Sequence, residues 1–351
     1  MVDWHRPRSP RWSYMHLNRH GEPLGLLDGV TSAKVRIVAE SPLGGSGSMT
    51  ITEFGQGIDW MRDRVQYVYD PGIPGIDPWP VATLAFTSPK DIYSAFTKSY
   101  DVTLTPLVSV VDTASVPAGF SIPAGTNVVD AVVQLIESVG ETRIAVTRSD
   151  TVLANMMVFP DGATKREVIN KLLVEAAGYW SLRCDASGQF RVEPYLDPSA
   201  RPESFHFRSG ELSVHRPDWE RTFNASAVPN VFRVYCEGDE DAPPITGEAV
   251  NEDPESPYSL PARGFEVSDA PERVEVASNE EADALAWRRL RDNMHPVARL
   301  EAEHAILPLE PNQVVRFSPS NGPSVLATIQ AMEIDCTPNG HVRAEWREVL
   351  I

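Results

Sequence analysis

Ala33-Lys-Val-Arg-Ile-Val38 alternates apolar with charged side chains. An extended backbone sends successive side chains to opposite faces, so this alternation reads as a half-buried strand. Ser48-Met-Thr-Ile-Thr52 repeats the pattern beyond the turn residues Gly44-Gly-Ser-Gly47, and Arg64-Val-Gln-Tyr-Val-Tyr69 repeats it again. Pro71-Gly-Ile-Pro-Gly75 and Asp77-Pro78 cannot continue a central strand, because proline has no N–H to give a ladder. A loop is therefore expected before Val81-Ala-Thr-Leu-Ala-Phe86. Short strands at this spacing are the pattern of an antiparallel sandwich or barrel.

Downstream of Asp101 the texture changes. Val102-Thr-Leu-Thr-Pro-Leu-Val-Ser-Val-Val111 reads as a strand, and two similar units follow it. In the first, Pro123-Ala-Gly125 leads through Thr126 and Asn127, either a good N-cap, into Val128, Val132, Leu135, Ile136 and Val139, stopped by Gly140. Thr142 to Thr147 is the strand that follows. In the second, Pro160-Asp-Gly162 leads to Thr164-Lys-Arg-Glu167, a capping box, and then to the apolar stripe Val168, Ile169, Leu172, Leu173 and Ala176, ended by Gly178. Tyr179 to Cys184 and Phe190 to Tyr195 read as a hairpin around Asp185-Ala-Ser-Gly188. Two readings of the repeated Pro-x-Gly, helix, strand order stand: an internal duplication, or two ordinary helix entries.

β texture returns with Val231-Phe-Arg-Val-Tyr-Cys236. Residues 237–277 form an expected long acidic loop, rich in Pro, Asp and Glu. Ser278-Asn-Glu-Glu281 is another capping box. It opens an expected helix over 279–294 with Ala282, Leu285, Ala286 and Leu290 on one face, which Pro296 forbids from continuing. Four strand candidates close the chain: Ala298 to Ile306, Val314 to Phe317, Val325 to Met332 and Val342 to Val349.

The 351 residues suffice for two or three domains, and 42% hydrophobic with 23% charged residues is the composition of an ordinary folded protein. Lys+Arg 31 against Asp+Glu 49 leaves a formal charge of −18, which repels phosphate and argues against general affinity for nucleic acid or anionic membranes. Cys184, Cys236 and Cys336 lie far apart without CxxC spacing, so neither a disulfide framework nor a thiolate cage is expected. The N-terminus lacks the apolar core of a secretory signal, and no apolar run approaches the roughly 20 residues of a bilayer span. The first twenty residues carry Arg6, Arg8, Arg11 and Arg19 beside Trp4, Trp12 and Tyr14. They read either as an arm that grips a neighbour or as a loose terminus followed by a first strand.

No catalytic motif emerges. None of the eight histidines belongs to a His-Glu-x-x-His motif, which would put two imidazoles and a general base on one helix face, so no zinc site is expected. His206, His215 and His304 are expected to be satisfied or exposed histidines. Gly45-Ser-Gly47-Ser48-Met resembles a nucleophile elbow but leads into a strand instead of a helix, and it lacks the Lys-Ser/Thr ending of a phosphate cradle. Glu237-Gly-Asp239-Glu-Asp241 lacks the full spacing of a calcium loop and runs into Pro243-Pro244, so a solvated acidic loop is the expectation. Catalytic, cofactor-binding and metal-binding residues are accordingly assigned as none, and no cofactor is expected. Trp4, Trp12, Trp60, Trp79 and Tyr258 are candidates for an interface because aromatic side chains concentrate in cores and subunit contacts, and Glu237 and Asp239 because a long acidic loop is of the kind that a partner orders.

The order of segments carries a resemblance. Pro80-Val-Ala-Thr-Leu-Ala-Phe86-Thr-Ser-Pro89, Val102-Thr-Leu104 with Val111-Asp112, Ile122-Pro-Ala-Gly-Thr126, Gly178-Tyr-Trp-Ser-Leu182, Gly188-Gln-Phe-Arg191 and Pro194-Tyr195 follow one another. Asn230-Val-Phe-Arg-Val234, the Ser278 helix and Leu309-Glu-Pro-Asn-Gln-Val-Val315 come after them. Over nearly the whole chain this succession resembles the minor tail proteins of long-tailed actinobacterial phages, whose relatives resemble the baseplate hub of contractile phages.

The resemblance implies an α+β, predominantly β chain: two antiparallel β-barrel-like domains, 1–105 and 212–351, flanking an α/β middle domain, 106–211, with two helix-strand units. It further implies a homotrimeric ring at the tail tip of a virion, assembled in the host cytoplasm. The implied partners are a tail tube or distal tail ring protein, a tape measure protein and other minor tail or tip proteins, with DNA only in transit and no membrane span. Many proteins of that family continue into a peptidase, lysin or receptor-binding extension. This chain ends at Ile351 after a strand, so no enzymatic role is expected. Two other functions define what to look for: a peripheral carbohydrate- or receptor-binding tail protein using exposed aromatics, and a carboxylate-based glycan hydrolase of the tail tip.

Overall fold

The structure is a computed structural model that describes residues 4, 8–39, 41, 43–52, 57–87, 89–211, 213–223, 225–236, 243–274, 278–293 and 298–349. It is predominantly β, 41% strand and 16% helix, with large antiparallel sheets and few helices. Contacts gather residues 1–219 with 301–349 into one unit and 220–300 into a second.

One large sheet organises the first unit. Its order is His215–Thr222, Arg299–His304, Val342–Glu348, Val325–Asp335, Val30–Val38, Gly45–Thr52, Lys98–Pro106, Trp79–Phe86, Arg64–Asp70, Arg11–Leu17, Pro23–Leu26. Strands from the two ends of the chain meet where Val30–Val38 runs antiparallel to Val325–Asp335, with Val38 opposite Ala331 and Lys34 opposite Asp335. The alternation that defines these strands is the burial pattern itself. Ala33 and Val35 are buried while Lys34 and Arg36 face out, and Val65, Tyr67 and Tyr69 are buried on their strand. Glu203–Arg208 adds to Val314–Ser318 in parallel, and Lys90–Tyr93 forms a hairpin with Lys98–Pro106.

Two segments differ from the sequence reading, each for a local reason. The strand expected to begin at Ser48 begins at Gly45, opposite Ile37. A Cβ on Gly47 would lie 2.4 Å from Leu84 Cδ1, so glycine is used here inside a strand that passes closely under its neighbours. The run Val102 to Val111 is a strand only to Pro106. Pro106 cannot donate onward, and Val108–Asp112 turns into a short helix that buries Val108 and Val111 one turn apart.

The α/β part of this unit follows its capping signals. Asn127 accepts a hydrogen bond from the Asp130 N–H and opens helix Val128–Glu137. Thr164 and Glu167 complete a reciprocal capping box for Lys165–Lys171, which continues as a wider π-helical turn, Leu172–Ala177. Gly178 then adopts the left-handed conformation (φ 67°) that stops the helix, which any side chain would disfavour. The predicted stripes converge in one core: Val128, Val132, Leu135, Ile136, Val168, Ile169, Leu172 and Leu173, closed by Phe190 and Val192. The strands after the two helices flank Phe190–Val192, Ile144–Val146 in parallel and Arg183–Cys184 antiparallel. Thr164→Ala is expected to lower stability by about 1 kcal/mol, because it strands a helix-start N–H. A urea titration of that variant checks it, and an unchanged midpoint contradicts it.

In the second unit Val231–Cys236 pairs antiparallel with Ile245–Val250 and parallel with Glu272–Arg273, and helix Asn279–Asn293 packs on this small sheet. The expected acidic loop is thus not a continuous loop where it is described. Thr246 and Glu248 face outward while Gly247 and Ala249 are buried, so the segment is a strand whose inward residues are too small to register as hydrophobic. Residues 237–242 and 275–277 of that stretch lie outside the described residues. Ala282, Ala286 and Leu290 of the predicted stripe are buried against Val234 and Ala249, and the Ser278 hydroxyl accepts the Glu281 N–H at 3.2 Å.

Candidate assembly surfaces and a histidine-lined cavity

Three of the candidate interface tryptophans meet in one aromatic ladder. Trp4 lies edge-on to Trp79 (6.0 Å between centroids), Trp79 contacts Tyr69 (5.2 Å), and Tyr69 contacts Trp12 (5.0 Å). All three are half-buried, and the Trp12 indole donates to the Thr337 carbonyl at 3.1 Å. Trp60 stands elsewhere, between Phe86 (5.3 Å) and Tyr100 (5.1 Å). Tyr258, half-buried in the second unit, lies under the Arg263 guanidinium at 5.3 Å. Glu237 and Asp239 lie outside the described residues.

Sequence reasoning missed several exposed apolar groups at the edges of the sheet. The hairpin Lys90–Tyr93/Lys98–Pro106 carries Ile92, Tyr93 and, at its tip, Phe96, whose side chain is 96% exposed. The strand Pro23–Leu26 ends the sheet order and exposes Leu24 and Leu26. The signal was present as an aromatic residue inside the polar turn Ser94-Ala-Phe-Thr97, held by the paired hydroxyls of Ser94 and Thr97 (2.6 Å). An apolar side chain fixed at a turn tip buries nothing within its own chain.

Buried polar groups are mostly paired. His16 Nε2 and Asp63 Oδ2 are 2.7 Å apart, and Asp63 also accepts the Asp59 N–H at 2.9 Å. Arg64, at the start of one strand, donates to Glu141, just past the first long helix, and both side chains are only 4% exposed. Burial pushes the thiols of Cys184 and Cys336 up, away from the reactive thiolate form.

A cavity of about 440 Å³ opens at the His215–Arg299 end of the sheet, lined by Trp4, Arg8, Glu211, His215, His304 and His341 among others. His304 is 1% exposed, stacked on Trp346 (5.8 Å, 25°) and against Phe207 (4.9 Å). Burial, opposed by the Ala305 carbonyl and aided by nearby His215 and His341, pushes its pKa down to about 4, so the ring is neutral. The expectation of a satisfied or exposed histidine does not describe it: Nε2 of His304 and Nε2 of His215 are both buried without a partner. His206, by contrast, is bonded to Ser318 Oγ at 2.9 Å. Among the described residues no three His, Cys, Asp or Glu side chains are grouped so as to hold a metal, and no helix is long and apolar enough to cross a membrane.

Neither a protein-family model nor a curated protein sequence matches this chain. Solved structures do match. The chain is similar to the tail protein from Neisseria meningitidis MC58 with a TM-score of 0.66, at 12% identity over 96% of each chain. It is similar to the 43 kDa tail protein of prophage MuSo2 from Shewanella oneidensis with a TM-score of 0.65, at 14% identity over 96% of this chain and 98% of that one. A chain of the half-lidded Francisella PdpA–VgrG complex matches with a TM-score of 0.58 and 8% identity, over 98% of this chain and 58% of that one. At the level of fold, then, the neighbours are phage tail proteins and a VgrG-containing complex.

Proposed function

We propose that this chain is a structural, non-enzymatic subunit of a phage tail, the hub that closes the tail tube at its tip as a homotrimeric ring of the kind found among actinobacterial minor tail proteins. The observation that carries this reading is the end-to-end correspondence of fold with two tail proteins, over 96% of this chain in both cases. Fold alone does not determine function, and the charge adds independent support. A formal −18 keeps phosphate from sticking to a wall that DNA passes.

In this proposal residues 1–105 and 212–351 act as barrel-like modules around a connecting module, 106–211. The ring contacts the tail tube or distal tail protein, the tape measure protein and tip proteins, within a virion assembled in the host cytoplasm. Trp4, Trp12, Trp60, Trp79, Glu237, Asp239 and Tyr258 are its proposed interface residues, and the Ile92/Tyr93/Phe96 hairpin joins them as a contact with a second copy.

The test is mass and stoichiometry on the full chain co-expressed with its adjacent tail proteins. Three copies are expected, about 116 kDa from three times 38.7 kDa. A complex with any other copy number, or tight DNA binding by the isolated chain at physiological salt, overturns the reading. Phe96→Asp should leave folding stability within about 0.5 kcal/mol, as an exposed tip residue does, and should abolish association. Association that survives this change removes the hairpin from the interface.

A further inference from the structure

We propose that Asn321-Gly322 is a self-modifying site, at which the side-chain amide of Asn321 cyclises onto the main chain and is lost as ammonia. The chain holds two Asn-Gly dipeptides, Asn321-Gly322 and Asn339-Gly340, each in a turn between two antiparallel strands. Both offer the same electrophile and the same nucleophile, a glycine nitrogen that no Cβ shields. Their surroundings separate them.

At position 321 the electrophile is activated and the nucleophile is free. The Trp219 indole donates to Asn321 Oδ1 at 2.8 Å, and because an indole N–H only donates, the atom facing it is the amide oxygen. Negative charge gathers on that oxygen when a nitrogen adds to Cγ, so the bond strengthens as the tetrahedral intermediate forms. The Gly322 N–H and Asn321 Nδ2 have no hydrogen-bond partner among the described residues, and both residues are exposed. The donor is held in place, since Trp219 stands edge-on to Phe317 (5.2 Å, 81°) and Ser318 Oγ meets Ser324 Oγ at 2.7 Å across the base of the turn. A Cβ on Gly322 would overlap the Trp219 ring, so glycine is what lets the indole come this close. Asn339-Gly340 lacks both features. The Gly340 N–H is occupied by the Thr337 carbonyl at 2.9 Å, and among the described residues nothing donates to the Asn339 amide oxygen.

In the reaction Gly322 N loses its proton and bonds to Asn321 Cγ, a ring closure within one residue that needs no encounter. The Cγ–Nδ2 bond breaks, and ammonia leaves carrying that proton. The five-membered succinimide is then opened by one water molecule at either carbonyl, giving an aspartate or an isoaspartate at position 321. Each event adds one negative charge to the turn, and the isoaspartate route also adds one carbon to the main chain.

The experiment incubates the full chain at neutral and mildly alkaline pH, folded and in guanidinium, and follows amide-to-acid conversion at both dipeptides by peptide mass spectrometry. In denaturant the two should convert at comparable rates. In the folded chain position 321 should convert at least about tenfold faster than position 339, and faster than it does in denaturant. Trp219→Phe keeps a ring against Phe317 and should slow conversion at 321 by about tenfold, leaving 339 unchanged. Asn321→Gln should abolish it, because the longer side chain would have to close a six-membered ring. Conversion at 321 that is slower folded than denatured overturns the proposal, as does a rate that Trp219→Phe leaves unchanged or raises, for the indole would then restrain the amide instead of activating it. Should Trp219→Phe fail to fold, the comparison of folded with denatured wild-type chain decides.

Discussion

Glu141→Ala is expected to lower the stability of the first unit by about 3–5 kcal/mol, since removing one partner of a buried ion pair leaves the other as an uncompensated charge. Arg64 and Glu141 are each 4% exposed, and Arg64 Nη1 already lacks a partner, so the guanidinium has no route to water when the carboxylate is removed. The pair joins the strand Arg64–Asp70 to the segment following helix Val128–Glu137. Nearby, Thr83 Oγ1 donates to the Ala186 carbonyl at 2.8 Å, fixing the hairpin 185–188 to the same sheet. The expected loss therefore appears as separation of the helical core from the sheet, not as general unfolding. Urea denaturation followed with hydrogen exchange measures it, and amides of 165–177 should lose protection along with those of 64–70. Arg64→Met with Glu141→Leu should recover most of the loss, because an apolar pair of similar volume carries no desolvation cost. A single variant as stable as the wild type would mean that the pair is solvated.

The strands legible in the sequence are those with one face in the core and one in water, Val30–Val38 and Arg64–Asp70 above all. Pro23–Leu26 and Lys90–Tyr93 were invisible because every one of their residues is exposed. Such edge strands are specified by the partner they pair with and not by their own periodicity. Capping chemistry was read well at Asn127, Thr164 and Ser278, because it is local: a side chain within three residues decides it. The site was legible only in part. The tryptophans are visible in the sequence, but nothing in linear spacing brings Trp12 to Trp79, since sheet pairing sets Tyr69 opposite Trp12 on one neighbouring strand and opposite Trp79 on the other. Arg64 and Glu141 sit at element ends, where charges normally face solvent, so their burial had no sequence signature.

Gly247→Val is expected to cost the second unit about 3 kcal/mol, at the upper end of what overpacking a close contact costs. A Cβ on Gly247 would lie 2.3 Å from the Ala282 carbonyl carbon and 2.6 Å from the Asp283 backbone nitrogen, where no flexible side chain can yield. The close approach has a purpose within the sheet. Ile245–Val250 is an edge strand, paired on one side with Val231–Cys236. On its free side the Thr246 N–H donates to Asn279 Oδ1 (3.2 Å) and the Glu248 N–H to Asp283 Oδ1 (3.0 Å). Two side chains one helical turn apart thus satisfy two N–H groups two residues apart on the strand, and the helix covers an edge that would otherwise pair with another chain. Any side chain at 247 moves the helix outward and breaks both bonds at once. Hydrogen exchange at Thr246 and Glu248 should then accelerate before that at Val231–Cys236, and the variant should self-associate through the uncovered edge. Asp283→Ala, which removes one acceptor and leaves the packing intact, should cost only about 1 kcal/mol and leave the chain's association state unchanged. Equal losses in the two variants would show that the hydrogen bond, and not the close packing at Gly247, holds the helix in place.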